Sequence, residues 1–347
     1  MSRPTPTKAS STRRPLSVWE LPTLLQPVHR YRKTAKKPVR ERPHFRAILA
    51  FVHRNRFAVA SQIQRRFPQQ LPSDRTARRH LAQMELLGYL GVVETNGTSP
   101  LWPKVYFVTR RGLARLRNAL KEKGQEWTES AVDRRRSSGS SSEHVLHELF
   151  TTEFLLMVWQ TAQARTDLEI LTIQRRSLAK HDAFKTVLAG RQTRLQPDGM
   201  FLYRQQGKGM MACFVETDVG TMNAKQMAIK MARYHAWAQS ADGARFLNDL
   251  YRRHGATNPT AAFRLLIVVG DRTPEAQLHR MWRLLEVGAD CPSALRKRMW
   301  ICTADRLRAV PNPAEMLVEP LWCRPAGISD HECEFCINQQ CHKFLEV

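Results

Sequence analysis

Long hydrophobic runs are missing: no stretch of the 347 residues approaches the roughly 18 uninterrupted apolar residues of a membrane-spanning helix. The opening residues, MSRPTPTKAS, lack the apolar core of a secretory signal. These two absences make the cytoplasm the expected compartment and leave no membrane partner. Acidic residues are scarce, 31 Asp and Glu against 55 Lys and Arg, for a formal charge of +24. With a pI near 10.5, that imbalance implies a polyanionic partner, nucleic acid before an anionic membrane. Cysteine is thin over most of the chain, with only Cys213, Cys291 and Cys302 before the last 25 residues, which excludes a disulfide framework. No internal repeat is visible.

What is present is enough for folding: 42% hydrophobic residues and 8% aromatics can build one large core or two ordinary ones. The charge is unevenly placed. Residues 1–43 carry eleven basic against two acidic residues, residues 44–142 carry eighteen against seven, and the remaining 205 residues hold only +4. The front of the chain is therefore expected to grip phosphates. Residues 1–43 mix Pro, Ser, Thr and basic residues without apolar periodicity and predict a disordered basic arm, within which LSVWELPTLL is a candidate docking patch. A second polar stretch, DRRRSSGSSS, marks a linker over 125–142.

Between arm and linker, over 44–124, Phe45, Ile48, Leu49 and Val52 share a helical face, and AVASQIQRRF predicts a second short helix. Ser73 or Asp74 caps a third, longer helix with Ala77, Leu81, Met84 and Leu87 at helical spacing. Two extended segments, GVVET and KVYFVT, follow around NGTSPLWP, and TRRGLARLRNALKEK resumes as helix. This order predicts a winged helix-turn-helix whose third helix enters the major groove of double-stranded DNA. Arg75, Arg78 and Arg79 are its expected DNA contacts, with His80, Lys104, Arg110 and Arg111 nearby. Solvated surface is the plainer account of any one of these arginines, and a dimerising or protein-binding winged helix is the alternative for the set.

From 143 to 320 the pattern is helix, strand, a basic irregular stretch, two strands joined by QGKG, helix, an amphipathic segment, a buried strand, helix and a last strand. The expected fold class is α/β (α+β), with a central mixed sheet. Asp198 opens one strand after Pro197, while Glu216 and Asp218, two apart, share a face at the end of the next. If these strands pair, the carboxylates converge, and a convergent pair either binds a hard cation, magnesium or manganese, or takes up a proton. Such a cation can bind a phosphodiester oxygen and activate water. A turn carboxylate after proline and a capped strand end are the structural alternatives.

The run LQPDGMFLYRQQGKGMMACFVETDVGT, followed by a helix bearing Lys225, Lys230 and Tyr234, resembles the replication-relaxation family of plasmid and mobile-element proteins. The resemblance implies an N-terminal winged helix joined to a restriction-endonuclease-like domain, acting in replication or DNA relaxation as a metal-dependent endonuclease or nickase. It matches Asp198 to the Pro-Asp motif and Glu216 to the acid of the acid-any-lysine motif, where Asp218 replaces the lysine. It implies that Lys230, or Lys225, supplies the missing cation from the next helix, and that Glu148 is the extra helical acid. Tyr234 as a covalent nucleophile is the weaker alternative to a packing role. His144 and His147, three apart, are expected to face solvent or cap the helix. A non-catalytic DNA-binding replication or transfer factor, or a regulator, stays open, as do RNA binding through the arm, homodimerisation and partner replication proteins.

The tail over 321–347 holds Cys333, Cys336 and Cys341, with Cys323 upstream and His331 and His342 beside them. Four cysteines so close together predict a structural zinc site, against free thiols or an iron–sulfur cluster.

Overall fold

The computed structural model describes residues 28–30, 40–94, 103–122, 142–175, 184–220, 222–270, 273–312, 315–317 and 321–325. Among these residues the protein is mixed α/β, with ten helices and a central mixed sheet. No helix there is long and apolar enough to cross a membrane.

The first unit runs β1 (Val28–Arg30), α1 (Phe45–Asn55), β2 (Ala58–Val59), α2 (Ala60–Arg66), α3 (Asp74–Leu86), β3 (Leu90–Glu94), β4 (Val105–Val108) and α4 (Arg110–Lys121). Phe45, Ile48, Leu49 and Val52 are fully buried, as their spacing predicts. Ser73 is the cap of α3, its Oγ accepting from Thr76 N at 3.2 Å. The strands form one antiparallel sheet in the order β1-β3-β4-β2. β1 is a difference from the sequence reading, which placed a disordered arm there: three arm residues satisfy the open backbone edge of β3 at Val92–Glu94. The LSVWELPTLL patch and the NGTSPLWP connection as far as Trp102 lie outside the described residues.

His80 sits inside this unit, 3% exposed, its Nδ1 bonded to His44 Nε2 at 3.0 Å and its ring edge-on to Phe45. Burial, reinforced by Arg42, His44 and Arg79, holds its imidazole down at about 4. The folded state thus prefers the neutral ring, so its contribution is complete above about 6.5, the unfolded value, and is lost as pH falls towards 4. His80→Phe is expected to remove about 2–3 kcal/mol of that acid-side loss. Urea denaturation of both proteins between pH 7 and pH 4 measures it, and parallel curves would refute the assignment.

The second part begins with α5 (Ser142–Gln163) and continues through β5 (Leu168–Gln174), β6 (Lys185–Leu188), β7 (Arg191–Arg194), β8 (Gly199–Gln205), β9 (Gly209–Asp218), α6 (Ala224–Gln239) and α7 (Ala241–Arg253). It closes with β10 (Phe263–Val269), α8 (Pro274–Ala289), α9 (Ser293–Arg296), β11 (Met299–Thr303) and α10 (Ala304–Ala309). Five strands lie in the order β11-β10-β9-β8-β5, with β9, β10 and β11 parallel and β8 antiparallel to both β9 and β5. Alternate residues feed two cores. Phe214, Leu265 and Ile267 pack with α6, α7 and α8, while Val215, Leu266 and Val268 pack with α5 and α10. Helices therefore cover both faces.

The stretch expected to be irregular before β8 contains the β6–β7 hairpin, turned at Ala189 (φ 49°) and Gly190 (φ 74°). Two successive positive φ values match the twist of a two-residue hairpin, which is why glycine sits there. α5 also packs against the first unit, through Val145, Leu146 and Leu149 on Phe57, Val59 and Phe107. Gln62 and Arg65 of α2 both reach Glu153 of α5, at 3.0 and 2.6 Å. Cys323 is buried and its backbone bridges to Ile301, whereas Cys333, Cys336, Cys341, His331 and His342 lie outside the described residues.

Candidate functional site

The carboxylates meet where β8 begins and β9 ends. Gly199 pairs with Val215 and Asp198 N donates to Val215 O at 3.1 Å, which sets Asp198 beside Glu216 across the two strands. Gly199 also lets α5 approach: a Cβ there would meet Leu155 Cδ1 at 3.0 Å and Thr151 Cγ2 at 3.7 Å. That approach brings His147 and Thr151 over the start of β8. His147 Nε2 donates to Asp198 Oδ2 at 3.0 Å, and Thr217 N donates to the same oxygen at 2.9 Å. The Thr217 and Thr151 hydroxyls bond each other at 2.7 Å, so α5 and β9 are locked together directly beneath Asp198.

On the other face of β9, Glu216 points towards α6. Tyr234 OH donates to its Oε1 at 2.6 Å and Lys230 Nζ donates to its Oε2, with Asp198 Oδ2 at 3.9 Å from the same ammonium. Lys230 and Tyr234, four apart, lie on one side of α6 as helical spacing requires. Glu216 is 1% exposed, whereas the Lys230 and His147 side chains are each 17% exposed, so the group reaches solvent through its two basic members and Asp198.

Burial pushes the Glu216 carboxyl well above the usual carboxylate range, and the adjacent Asp198 charge pushes the same way against the pull of Lys230. Burial alone would raise Asp198 too, but His147 and Lys230 hold it well below that range. A single proton on the pair therefore resides on Glu216. Lys230 resists its own desolvation because Asp198 and Glu216 raise its ammonium, and burial beside Glu216 drives the Tyr234 phenol well above its ordinary value. Lys230 accordingly remains a cation, and Tyr234, fully buried, has the surroundings of a packing and orienting group.

Asp218 shares the Glu216 face but belongs to a different contact. Arg280 of α8 clamps it through Nε and Nη2, at 2.5 and 2.7 Å, and also donates to Met222 O. Glu148 is turned to Arg175 at 2.5 Å and to Arg56 at 3.3 Å, so it is held by basic residues rather than joined to Asp198. Lys225 is exposed on the first turn of α6. Among the described residues, no group of three or more His, Cys, Asp and Glu has the arrangement of a metal-ion site.

Arg75, Arg78 and Arg79 are exposed on α3, with Arg78 paired to Asp74 at 2.5 Å. Arg110 and Arg111 are exposed at the start of α4, Lys104 reaches Glu85 at 3.4 Å, and His80 lies inside as described. Sequence reasoning missed His147 as a site residue, together with Thr217, Arg175 and Arg280. For His147 the signal was its four-residue spacing to Thr151 on one face of α5; for the arginines there was none.

The replication-relaxation family model matches residues 49–246, more than half of the chain and the whole span from α1 through the carboxylates and Lys230 into α7. No curated protein and no solved structure matches it significantly. The chain belongs to the replication-relaxation family.

Proposed function

We propose that this protein binds double-stranded DNA through its first unit and cuts or nicks it at the Asp198–Glu216–Lys230 group, in the replication or relaxation of a plasmid or mobile element. The observation that carries the reading is Lys230: the acid-any-lysine pattern lacks its lysine at Asp218, and α6 delivers an ammonium to the same two carboxylates. The helix-strand-helix-helix-strand-strand order over 45–108, with three exposed arginines on α3, supports a winged helix. The open mixed sheet with helices on both faces and acids at adjacent strand ends supports a restriction-endonuclease-like domain.

Two hard carboxylates from adjacent strands fit magnesium or manganese, which is commonly held by one or two such groups while waters and phosphate oxygens complete its shell. Asp198 and Glu216 would hold it, and when bound it supplies charge to a phosphate oxygen and acidity to a water. The residues of the chain do the rest. Tyr234 fixes one Glu216 oxygen, His147 and Thr217 fix Asp198, and Lys230, kept protonated, offers positive charge to a phosphodiester gaining negative charge during attack.

A second reading, a DNA-binding factor with a silent core, is favoured by one observation: Lys230 and Tyr234 already satisfy both oxygens of Glu216. Incubation of the purified chain with supercoiled plasmid carrying its own locus, with and without magnesium or manganese, separates the two. Metal-dependent conversion to open-circular or linear DNA is expected, with Asp198→Asn abolishing conversion while its mobility shift persists. A shift without conversion in the wild type supports the silent core, and conversion undiminished in Asp198→Asn removes the assigned site.

A further inference from the structure

β3 and β4 of the first unit are apolar on both faces. Leu90, Val92, Tyr106 and Val108 feed the core under α1 and α3, while Val93, Val105 and Phe107 point the other way. A small sheet with two apolar faces needs a cover on each, and the second cover is α5. Val145 and Leu149 of α5 are fully buried in this contact. Polar contacts extend the same line. Gln62, fully buried on α2, donates to Leu149 O and to Glu153 Oε2, each at 3.0 Å, and Arg65 donates to both Glu153 oxygens at 2.6 Å. Glu153 is 4% exposed, so α2 supplies the counter-charge of a nearly buried carboxylate. Arg56 adds a strained turn: with φ 65° and ψ −47°, and with Phe57 N donating to Asn55 O at 2.8 Å, it forms a γ-turn that non-glycine residues rarely adopt. That turn carries Phe57 into the apolar contact and Arg56 to Glu148.

The same helix reaches the carboxylates from its other side. Val145, Leu149 and Glu153 recur every four residues and form one stripe of α5. His147 and Thr151 lie two positions on from Val145 and Leu149, roughly 200° round the helix. There His147 holds Asp198 and Thr151 holds Thr217. The first unit and the carboxylate group are thus separated by about one helix diameter, roughly 10–12 Å with side chains. Domains joined by a polar connection such as that over 125–142 move relative to one another unless the interface between them is large and apolar. This interface is apolar at its centre, carries buried charge pairs along its length, and shares its helix with the sheet that bears the site.

We infer that the Val145–Leu149–Glu153 stripe of α5, seated on Gln62, Arg65 and the outer face of β3 and β4, sets the spacing between the DNA sequence that the first unit reads and the bond that the carboxylate group cuts. Leu149 and Glu153 are positioning residues: they touch no DNA and act through α5. A winged helix held rigidly against the site delivers one phosphodiester to it, whereas one on a flexible tether would deliver many. The inference rests on the DNA-cutting reading proposed above and adds to it where the cut falls.

The test uses the full-length chain on a linear duplex carrying its own locus, with cut positions mapped to the nucleotide in magnesium or manganese, beside calorimetric melts without metal or DNA. The wild type is expected to melt in one transition and to cut at one position. Inserting about twelve Gly and Ser residues within 125–142 is expected to change neither, because the α5 contact and not the connection sets the spacing. Leu149→Ser with the same insertion should spread the cuts over about 10 base pairs, a turn of DNA, and Leu149→Met with the insertion should restore the single position. A wild type that cuts at scattered positions or melts in two independent transitions refutes the inference while the cutting reading stands. So does an insertion that moves or scatters the cut, or a folded Leu149→Ser chain with the insertion that keeps a single position. Should Leu149→Ser fail to fold, the insertion alone decides. A wild type that melts in one transition and cuts nothing refutes the cutting reading, and the spacing role falls with it.

Discussion

Lys230→Met is expected to lose roughly 10²–10³-fold in DNA cleavage and, at pH 8, about 3–5 kcal/mol of stability. The stability cost follows from burial. Glu216 is 1% exposed and Asp198 8%, and the Lys230 ammonium is within ion-pair distance of both carboxylates. Without it, burial and mutual repulsion push the Glu216 carboxyl higher still and lift Asp198 from its depressed position. A raised carboxyl contributes its stability below the unfolded value of about 4, and that contribution is lost as pH rises through the folded value. The variant should therefore be far closer to wild type at pH 5 than at pH 8. Adding Glu216→Gln should recover most of the loss, since the amide keeps the Tyr234 bond without a charge to compensate. Urea denaturation of the wild type, both single variants and the double variant at the two pH values gives the coupling directly. A double variant as unstable as Lys230→Met, or a loss independent of pH, would show that the ammonium is packing rather than compensating charge.

The periodic parts of this fold were legible because their side chains answer to local rules. α5 and β5 follow each other in the order that the pattern predicts, and the α1 face is buried as its spacing demands. Asp198 and Glu216 were placed together by one local inference, the QGKG hairpin that pairs β8 with β9. What escaped depended on distant partners or on weak patterns. α5 is covered on two sides, the sheet taking one face and the first unit another, so its short His147–Thr151 polar stripe reads from the sequence as solvent-facing although it faces inward. His80 did carry a signal, since it falls with Ala77, Leu81 and Met84 on the buried stripe of α3. The β6–β7 hairpin has only two large apolar residues, Val187 and Leu188, and its Ala-Gly turn is a weaker marker than Asn-Gly. Glu148 resembled a site acid in sequence, but Arg175, 27 residues away, takes its carboxylate.

Asp218 makes the same point with a larger expected effect. Two acids two apart share a strand face, yet α6 meets one with lysine and α8 meets the other with Arg280, 62 residues further on. Asp218 is fully buried and bidentate, and one of its oxygens also accepts from Gly220 N at 3.2 Å, so it ties the end of β9 to the turn leading into α6. Asp218→Ala leaves the Arg280 guanidinium without its counter-charge and is expected to cost about 3–5 kcal/mol. Asp218→Ala/Arg280→Met should regain a large part of this, because removing both members of a buried pair is cheaper than removing one. Asp218→Lys writes the lysine of the acid-any-lysine pattern back into the sequence. On motif logic it should strengthen the site; on this geometry it buries a second cation against Arg280, and the expected result is a chain that does not fold. Thermal melts of the three variants distinguish the two views. A folded Asp218→Lys protein with wild-type or greater cleavage would mean that Asp218 faces the reacting phosphate and that its pairing with Arg280 is not what holds the strand end in place.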